Sequence, residues 1–165
     1  MRKKPELSLR ARALQYLARR EYSRAELRGK LLPYARTDGE SGQPQPEGPR
    51  PENLDALLDD LTACGWLSDA RAATQLLHAK RSRFGTQRIA QELRRKGIAE
   101  ELIGDVLPGL KETELDAARN VWQKKFGALP QDEKEKARQV RFLQSRGFSM
   151  DTIFKVVSAP HSAED

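Results

Sequence analysis

The chain has 165 residues, 38% hydrophobic and 33% charged, with 30 Lys and Arg against 24 Asp and Glu, a formal net charge of +6 and a pI near 9.6. That length suits one ordinary domain or several small units sharing a core, and excludes a large multidomain enzyme. The basic balance favours polyanionic partners, nucleic acid or nucleoprotein first. No run of about 18 apolar residues is present to span a bilayer, and Met1–Glu6 leads into no apolar segment of the signal-peptide kind, so a cytoplasmic location is expected. Aromatic residues make up 6% of the chain, too few for a thick core, which points to an elongated helical body. Cys64 is the only cysteine; it excludes an intrachain disulfide and a cysteine zinc cage, and a small buried apolar role is expected for it.

The chain begins its apolar periodicity with Leu9, Ala13, Tyr16 and Leu17, which share one side of a helix over Leu7–Arg20, while Arg12, Gln15 and Arg19 share the other. Ser23 followed three residues later by Glu26 has capping-box spacing, and Leu27, Leu31 and Leu32 form the stripe of a second helix. Between Arg36 and Pro51, TDGESGQPQPEGP has no periodic apolar positions, so residues 36–51 read as a flexible insertion. Leu54, Leu57, Leu58 and Leu61 then mark a third helix, whose Asp55, Asp59 and Asp60 read as dipole partners or solvated charges.

Ser68 caps a fourth helix carrying Ala72, Ala73, Leu76 and Leu77, with Arg71, Thr74, His78 and Arg81 on its polar side. The stretch FGTQRIAQELRRKGI, Phe84–Ile98, follows. Gly85 allows a turn, the Thr86 side chain is placed to cap, and Ile89, Ala90 and Leu93 face inward until Gly97 stops the helix. Its outer face is cationic, with Arg88, Arg94, Arg95 and Lys96 against the single acid Glu92; Lys80, Arg81 and Arg83 extend this most basic region. Further helices are expected over Glu100–Leu110, Glu112–Phe126 and Asp132–Arg146, with Pro108-Gly109 loosening the chain between the first two. A last helix, capped by Ser149, carries Ile153, Val156 and Val157.

A glycine stop recurs in CGWLSD at Cys64–Asp69, KGIAEE at Lys96–Glu101 and RGFSMD at Arg146–Asp151. Leu61, Leu93 and Leu143 lie four residues before the glycine, and Trp66, Ile98 and Phe148 immediately after it. The apolar residue past such a stop packs back on the last turn, and an acid opens the next helix. The repeat predicts an all-α fold of three tandem three-helix repeats over 7–67, 68–110 and 112–158, stacked as an elongated, curved array. No alternating β-branched run suggests a strand.

Catalytic chemistry is not assembled. Arg28-Gly29-Lys30 lacks the earlier glycine of a phosphate loop, since position 24 is Arg. His78 and His161 are the only histidines, and no Gly-x-Ser-x-Gly or paired metal-ligand spacing occurs. No enzyme activity, metal or cofactor is expected.

The order YSRAEL and KLL at Tyr22–Leu32, GWLSDARAA at Gly65–Ala73 and FGTQRIAQELRRKGI closely resembles the RecX family of bacterial RecA regulators, over nearly the whole chain. The insertion after the second helix is longer than the family's pattern, and Thr86-Gln87 stands where many relatives have a proline. The resemblance implies an all-helical, three-unit fold and a regulatory role. Such proteins bind the RecA–single-stranded DNA filament in its groove, block its extension, and inhibit strand exchange, ATPase and co-protease activity; the ATP belongs to RecA.

From the residues themselves, Lys80, Arg81, Arg83, Arg88, Arg94, Arg95 and Lys96 are expected to face an acidic or phosphate-lined groove, with Arg12, Arg19, Arg138, Arg141 and Arg146 extending that side. The partners expected are the RecA filament and single-stranded DNA, with duplex DNA a further candidate, and no membrane. No heptad seam suggests a dimer, so a monomer is expected. The alternative is a general basic nucleic-acid-binding protein such as a helix-turn-helix repressor, reading bases with Arg88, Gln91 and Arg95.

Overall fold

A computed structural model describes residues 7–35 and 51–158; residues 1–6, all of the expected insertion 36–51 but its last residue, and the tail past Ser158 lie outside the described residues. The described chain is all-α. Its helices are α1 (Leu9–Arg19), α2 (Arg24–Leu31), a 3₁₀ turn at Leu32–Tyr34, α3 (Pro51–Ala63), α4 (Asp69–Lys80), α5 (Thr86–Arg95), α6 (Glu100–Lys125), α7 (Glu133–Ser145) and α8 (Met150–Ser158), with no strand among the described residues. Contacts divide the chain into two compact units. The first is Met1–Ala72 with Lys96–Ile98, and the second is Ala73–Arg95 with Ala99–Asp165.

In the first unit the stripes read from the sequence meet. Leu9, Ala13, Leu27, Leu31, Leu54, Leu58 and Leu61 are all buried, and Tyr22, Ala35 and Leu67 join them. The Ser23–Glu26 capping box is complete, and the Ser23 hydroxyl also donates to the Lys96 carbonyl at 2.5 Å. The aspartates of α3 are ion-pair partners: Asp55 holds Arg28 at 3.1 Å, Asp59 holds Arg24 at 2.6 Å, and Asp60 holds Arg10. Each pair is exposed and contributes little singly, but together they orient α1 and α2 on α3. Cys64 is exposed, not buried, because it lies past the inward positions of α3. Trp66 is 57% exposed, so the first glycine stop does not repeat the packing of the others; Leu67, one residue later, fills the core at 2%.

The second unit buries Ala117, Ala118, Trp122, Leu143, Phe148, Ile153, Val156 and Val157 around α6, α7 and α8. The Trp122 indole donates to Gln139 Oε1 at 2.8 Å, and Gln139 Nε2 donates to the Ala128 carbonyl at 3.1 Å, so the buried polar atoms are matched. Here α6 corrects the expectation of two helices, because it runs unbroken through Pro108. The proline gives up one backbone bond, toward the Gly104 carbonyl, and both Pro108 and Gly104 lie on the exposed side where water reaches them. Ile103 and Leu110, buried on either side, favour one continuous helix.

The second correction concerns Thr86. Its side chain does not cap α5: Oγ1 is buried without a hydrogen-bond partner among the described residues. The cap comes from α6. Glu114, 6% exposed, accepts from the Thr86 N–H at 3.0 Å, the Ser149 hydroxyl at 2.9 Å and the Thr152 hydroxyl at 2.7 Å. One carboxylate thus serves the starts of both α5 and α8, where the helix dipoles favour negative charge. The donors on either side of Thr86 are taken by the α7–α8 turn, with Gly85 N–H on the Arg146 carbonyl at 2.8 Å and Gln87 N–H on the Gly147 carbonyl at 3.1 Å. The approach requires glycine on both sides. A Cβ at Gly85 would collide with the Gly147 backbone, and one at Gly147, whose φ is +85°, with the backbone of Arg88.

Burial works to raise the Glu114 carboxyl, but hydrogen bonds from Thr152, the Thr86 N–H and Ser149 prevail and hold it below its ordinary value near 4.5. A carboxyl depressed by folding stabilises fully above that ordinary value and loses its contribution as pH falls through the folded value. Glu114→Ala should cost about 2–3 kcal/mol near neutral pH by leaving buried donors unmatched. The stability gap between the parent and Glu114→Gln should be widest above the ordinary carboxylate value and narrow as pH falls below it. Urea melts followed by Trp122 fluorescence in a Trp66→Phe background measure both, and a gap independent of pH would contradict the assignment. Gly65 has φ +79°, but the space into which a methyl would project is open. Gly65→Ala should therefore cost only the left-handed backbone term of about 1–2 kcal/mol, and Gly147→Ala clearly more; equal losses in urea melts followed by circular dichroism would show that the turn is not tightly docked.

Candidate functional site

Phe84 organises the basic region. After α4, the Arg83 and Phe84 N–H groups both return to the Lys80 carbonyl at 3.0 Å, forming a tight turn that leaves the Phe84 ring half-buried beside the start of α5. Arg88 Cζ lies 4.3 Å from the ring centroid, Lys80 Nζ 5.2 Å, Arg146 Cζ 5.4 Å and Arg83 Cζ 5.8 Å. Four cations so close repel one another, and the ring quadrupole offsets part of that cost. Backbone oxygens offset more: Arg88 Nη1 donates to the Ser145 carbonyl at 3.1 Å, and Arg83 Nη2 reaches the Ala79 carbonyl at 3.5 Å. Arg146 is also 5.3 Å from the Phe142 ring.

Of the cations predicted from sequence, Lys80, Arg83 and Arg88 converge on this ring, and Arg146 joins from the turn after α7. Arg81 and Arg95 are exposed and make no ion pair with the described residues. The others are engaged. Arg94 grips Glu100 through two bonds of 2.6 and 3.3 Å, and that hydrogen bond holds the Glu100 carboxyl below its usual range. Lys80 is 3.7 Å from Glu92. Lys96 belongs to the first unit, where its ammonium donates to Glu26 at 3.1 Å. Glu26 resists protonation too: burial raises its carboxyl, but bonds from Arg20, the Ser23 N–H and Lys96 bring it below the ordinary value. The local sequence shows only Glu92 as a counter-charge; Glu100 and Glu26 come from neighbouring elements.

The extending arginines also divide. Arg12 lies 3.8 Å over the Tyr34 ring and Arg138 5.5 Å from Phe126, while Arg19 and Arg141 are exposed. Phe84 was readable only as an apolar residue before a glycine, and Glu114 only as one acid of a helix. Their roles depend on what packs against them.

Beside the ring, the start of α5 and the end of α7 enclose a polar cleft of about 310 Å³, lined by Gln87, Arg88, Gln91, Glu92, Arg95 and Gln144 among others. Among the described residues no group of three or more His, Cys, Asp or Glu is arranged to hold a metal ion, and no helix is long and apolar enough to cross a membrane. The cleft brings the fixed guanidinium of Arg88 and the free one of Arg95 together with neutral carboxamides. Groups of this kind can bind anions through charge-assisted hydrogen bonds.

Comparison with known proteins agrees along most of the chain. Residues 68–107 match the family model of the RecX second three-helix domain and 112–157 that of the RecX third three-helix domain. The regulatory protein RecX of Leptothrix cholodnii is 47% identical over 93% of this chain and 90% of its own length, and that of Ralstonia pickettii 42% over 92% and 87%. The crystal structure of RecX from Lactobacillus salivarius shares the fold with a TM-score of 0.70, at 15% identity over 91% of this chain and 92% of that one. With both family models matched and relatives this similar along nine-tenths of its length, the chain belongs to the RecX family of regulatory proteins.

Proposed function

We propose that this chain is a negative regulator of the RecA recombinase. It binds the RecA–single-stranded DNA filament in its groove and inhibits filament extension, strand exchange, ATPase and co-protease activity. Membership of the RecX family supports the regulatory role, and the observation that carries the mode of binding is the convergence of Lys80, Arg83, Arg88 and Arg146 on Phe84. A filament on DNA carries phosphates, and fixed guanidiniums recognise phosphates through charge-assisted hydrogen bonds. On this reading the chain acts as a cytoplasmic monomer without cofactor. Its units are the three-helix repeats 7–67, 68–110 and 112–158, and Lys80, Arg81, Arg83, Arg88, Arg94, Arg95 and Lys96 form the binding surface. Phosphate contacts release counterions, so affinity falls steeply with salt.

The cleanest test reverses cations that have no internal partner. Arg94→Glu would set a carboxylate against Glu100 and confound binding with repulsion inside the fold. The double variant Arg81→Glu/Arg95→Glu avoids this, because both side chains are exposed and unpaired among the described residues. It should keep its unfolding midpoint, lose about tenfold in inhibition of RecA ATPase and strand exchange, and show a shallower dependence of affinity on salt. Full inhibition by the folded variant would remove the basic surface from the mechanism. If the parent protein left both activities unchanged at stoichiometric amounts, the regulator reading itself would fall.

A further inference from the structure

We infer that the cleft between the start of α5 and the end of α7 is a subsite for one nucleotide of single-stranded nucleic acid, contacting base as well as phosphate. This deepens the proposed function and rests on its premise that the chain binds single strands.

The cleft has two kinds of group, with separate tasks. Arg88 is held in place by the Phe84 ring at 4.3 Å and the Ser145 carbonyl at 3.1 Å, so part of its ordering cost is already met before a ligand arrives. Arg95 is free and exposed on the same wall. The carboxamides of Gln87, Gln91 and Gln144 line the same cleft, exposed and without side-chain partners among the described residues. A carboxamide carries a donor pair and an acceptor, the pattern that matches a base edge. Glu92, the one acid on the wall, is 3.7 Å from Lys80, which offsets its charge against a phosphate.

A second cleft, of about 670 Å³ and lined by Arg94 and Lys111, is a weaker candidate. It includes the carboxylates Glu114 and Asp151, and Arg94 is already bound to Glu100. Among the described residues no aromatic lines the first cleft, so the base would stack on a guanidinium plane and not on a ring. A purely cationic surface binds backbone irrespective of the bases, whereas three carboxamides beside two guanidiniums give contacts that disappear when the base is removed.

The experiment compares the full chain with Gln91→Ala/Gln144→Ala on two single-stranded oligonucleotides of equal length and charge, one of thymidines and one of abasic sites. The parent should bind the base-bearing strand about tenfold more tightly. The double variant, altered only at exposed side chains, should lose that difference while keeping its salt slope and unfolding midpoint. Arg95→Gln should do the opposite, reducing the slope by about one unit and preserving the preference for bases. A parent that binds both strands equally, or a double variant that still discriminates as the parent does, overturns the subsite and leaves a phosphate-binding surface intact. No binding of either strand by the parent overturns the underlying single-strand reading instead.

Discussion

The Glu114 carboxylate holds the second unit in register. Helix α5 begins without a capping side chain of its own, because Thr86 Oγ1 is turned into the interior, and its first donor is met only by a residue twenty-eight positions later. The same carboxylate accepts from Ser149 and Thr152, so α5 and α8 start at one point on α6. Losing it would leave donors at two helix starts unmatched in a site where water is largely excluded. The arrangement explains the continuity of α6. A break at Pro108-Gly109 would uncouple the Ile103 segment from the segment that carries Glu114.

That junction also creates the cation cluster. Gly85 and Gly147 let the α7–α8 turn come against the first residues of α5, which brings the Ser145 carbonyl to Arg88 and places Arg146 beside the Phe84 ring. Mutual repulsion among guanidiniums is tolerated because an aromatic face and carbonyl oxygens surround them. In the first unit Arg10, Arg24 and Arg28 are each matched to an acid of α3 and Arg71 to Glu21, while Arg12 lies over the Tyr34 ring. A cation fixed by a ring and carbonyl meets no internal counter-charge, whereas one fixed by a carboxylate does. Formal charge alone cannot separate the two cases.

The repeated glycine stop shows the same division at the level of a motif. Gly65, Gly97 and Gly147 all have positive φ, between +75° and +85°, and Leu61, Leu93 and Leu143 are completely buried. These features are local consequences of ending a helix with a left-handed residue. The residue after the glycine is not local. Ile98 and Phe148 find cores, but Trp66 meets solvent because Leu67 occupies the available space. Beyond the motif, Gly97 is crowded by Ala25, whose Cβ would lie 2.6 Å from a methyl there, and Gly147 by Arg88, while Gly65 is open.

Sequence by itself determined the inward faces of the helices and, apart from the unbroken α6, their number. Periodicities of Leu9 and Ala13, Leu54 and Leu58, Ile89 and Leu93, and Ile153 and Val157 identify which side is buried, because that choice depends on spacing within a single helix. It also determined the Ser23–Glu26 box and the three glycine stops, since these are short-range hydrogen-bond and dihedral requirements. Tertiary structure decided which cations are committed and which are free, that Thr86 is capped from α6, and that Phe84 is a common centre for four charges. Those outcomes depend on Glu26, Glu100, Glu114 and the Gly147 turn arriving from distant positions, and no spacing within one helix encodes a distance between two.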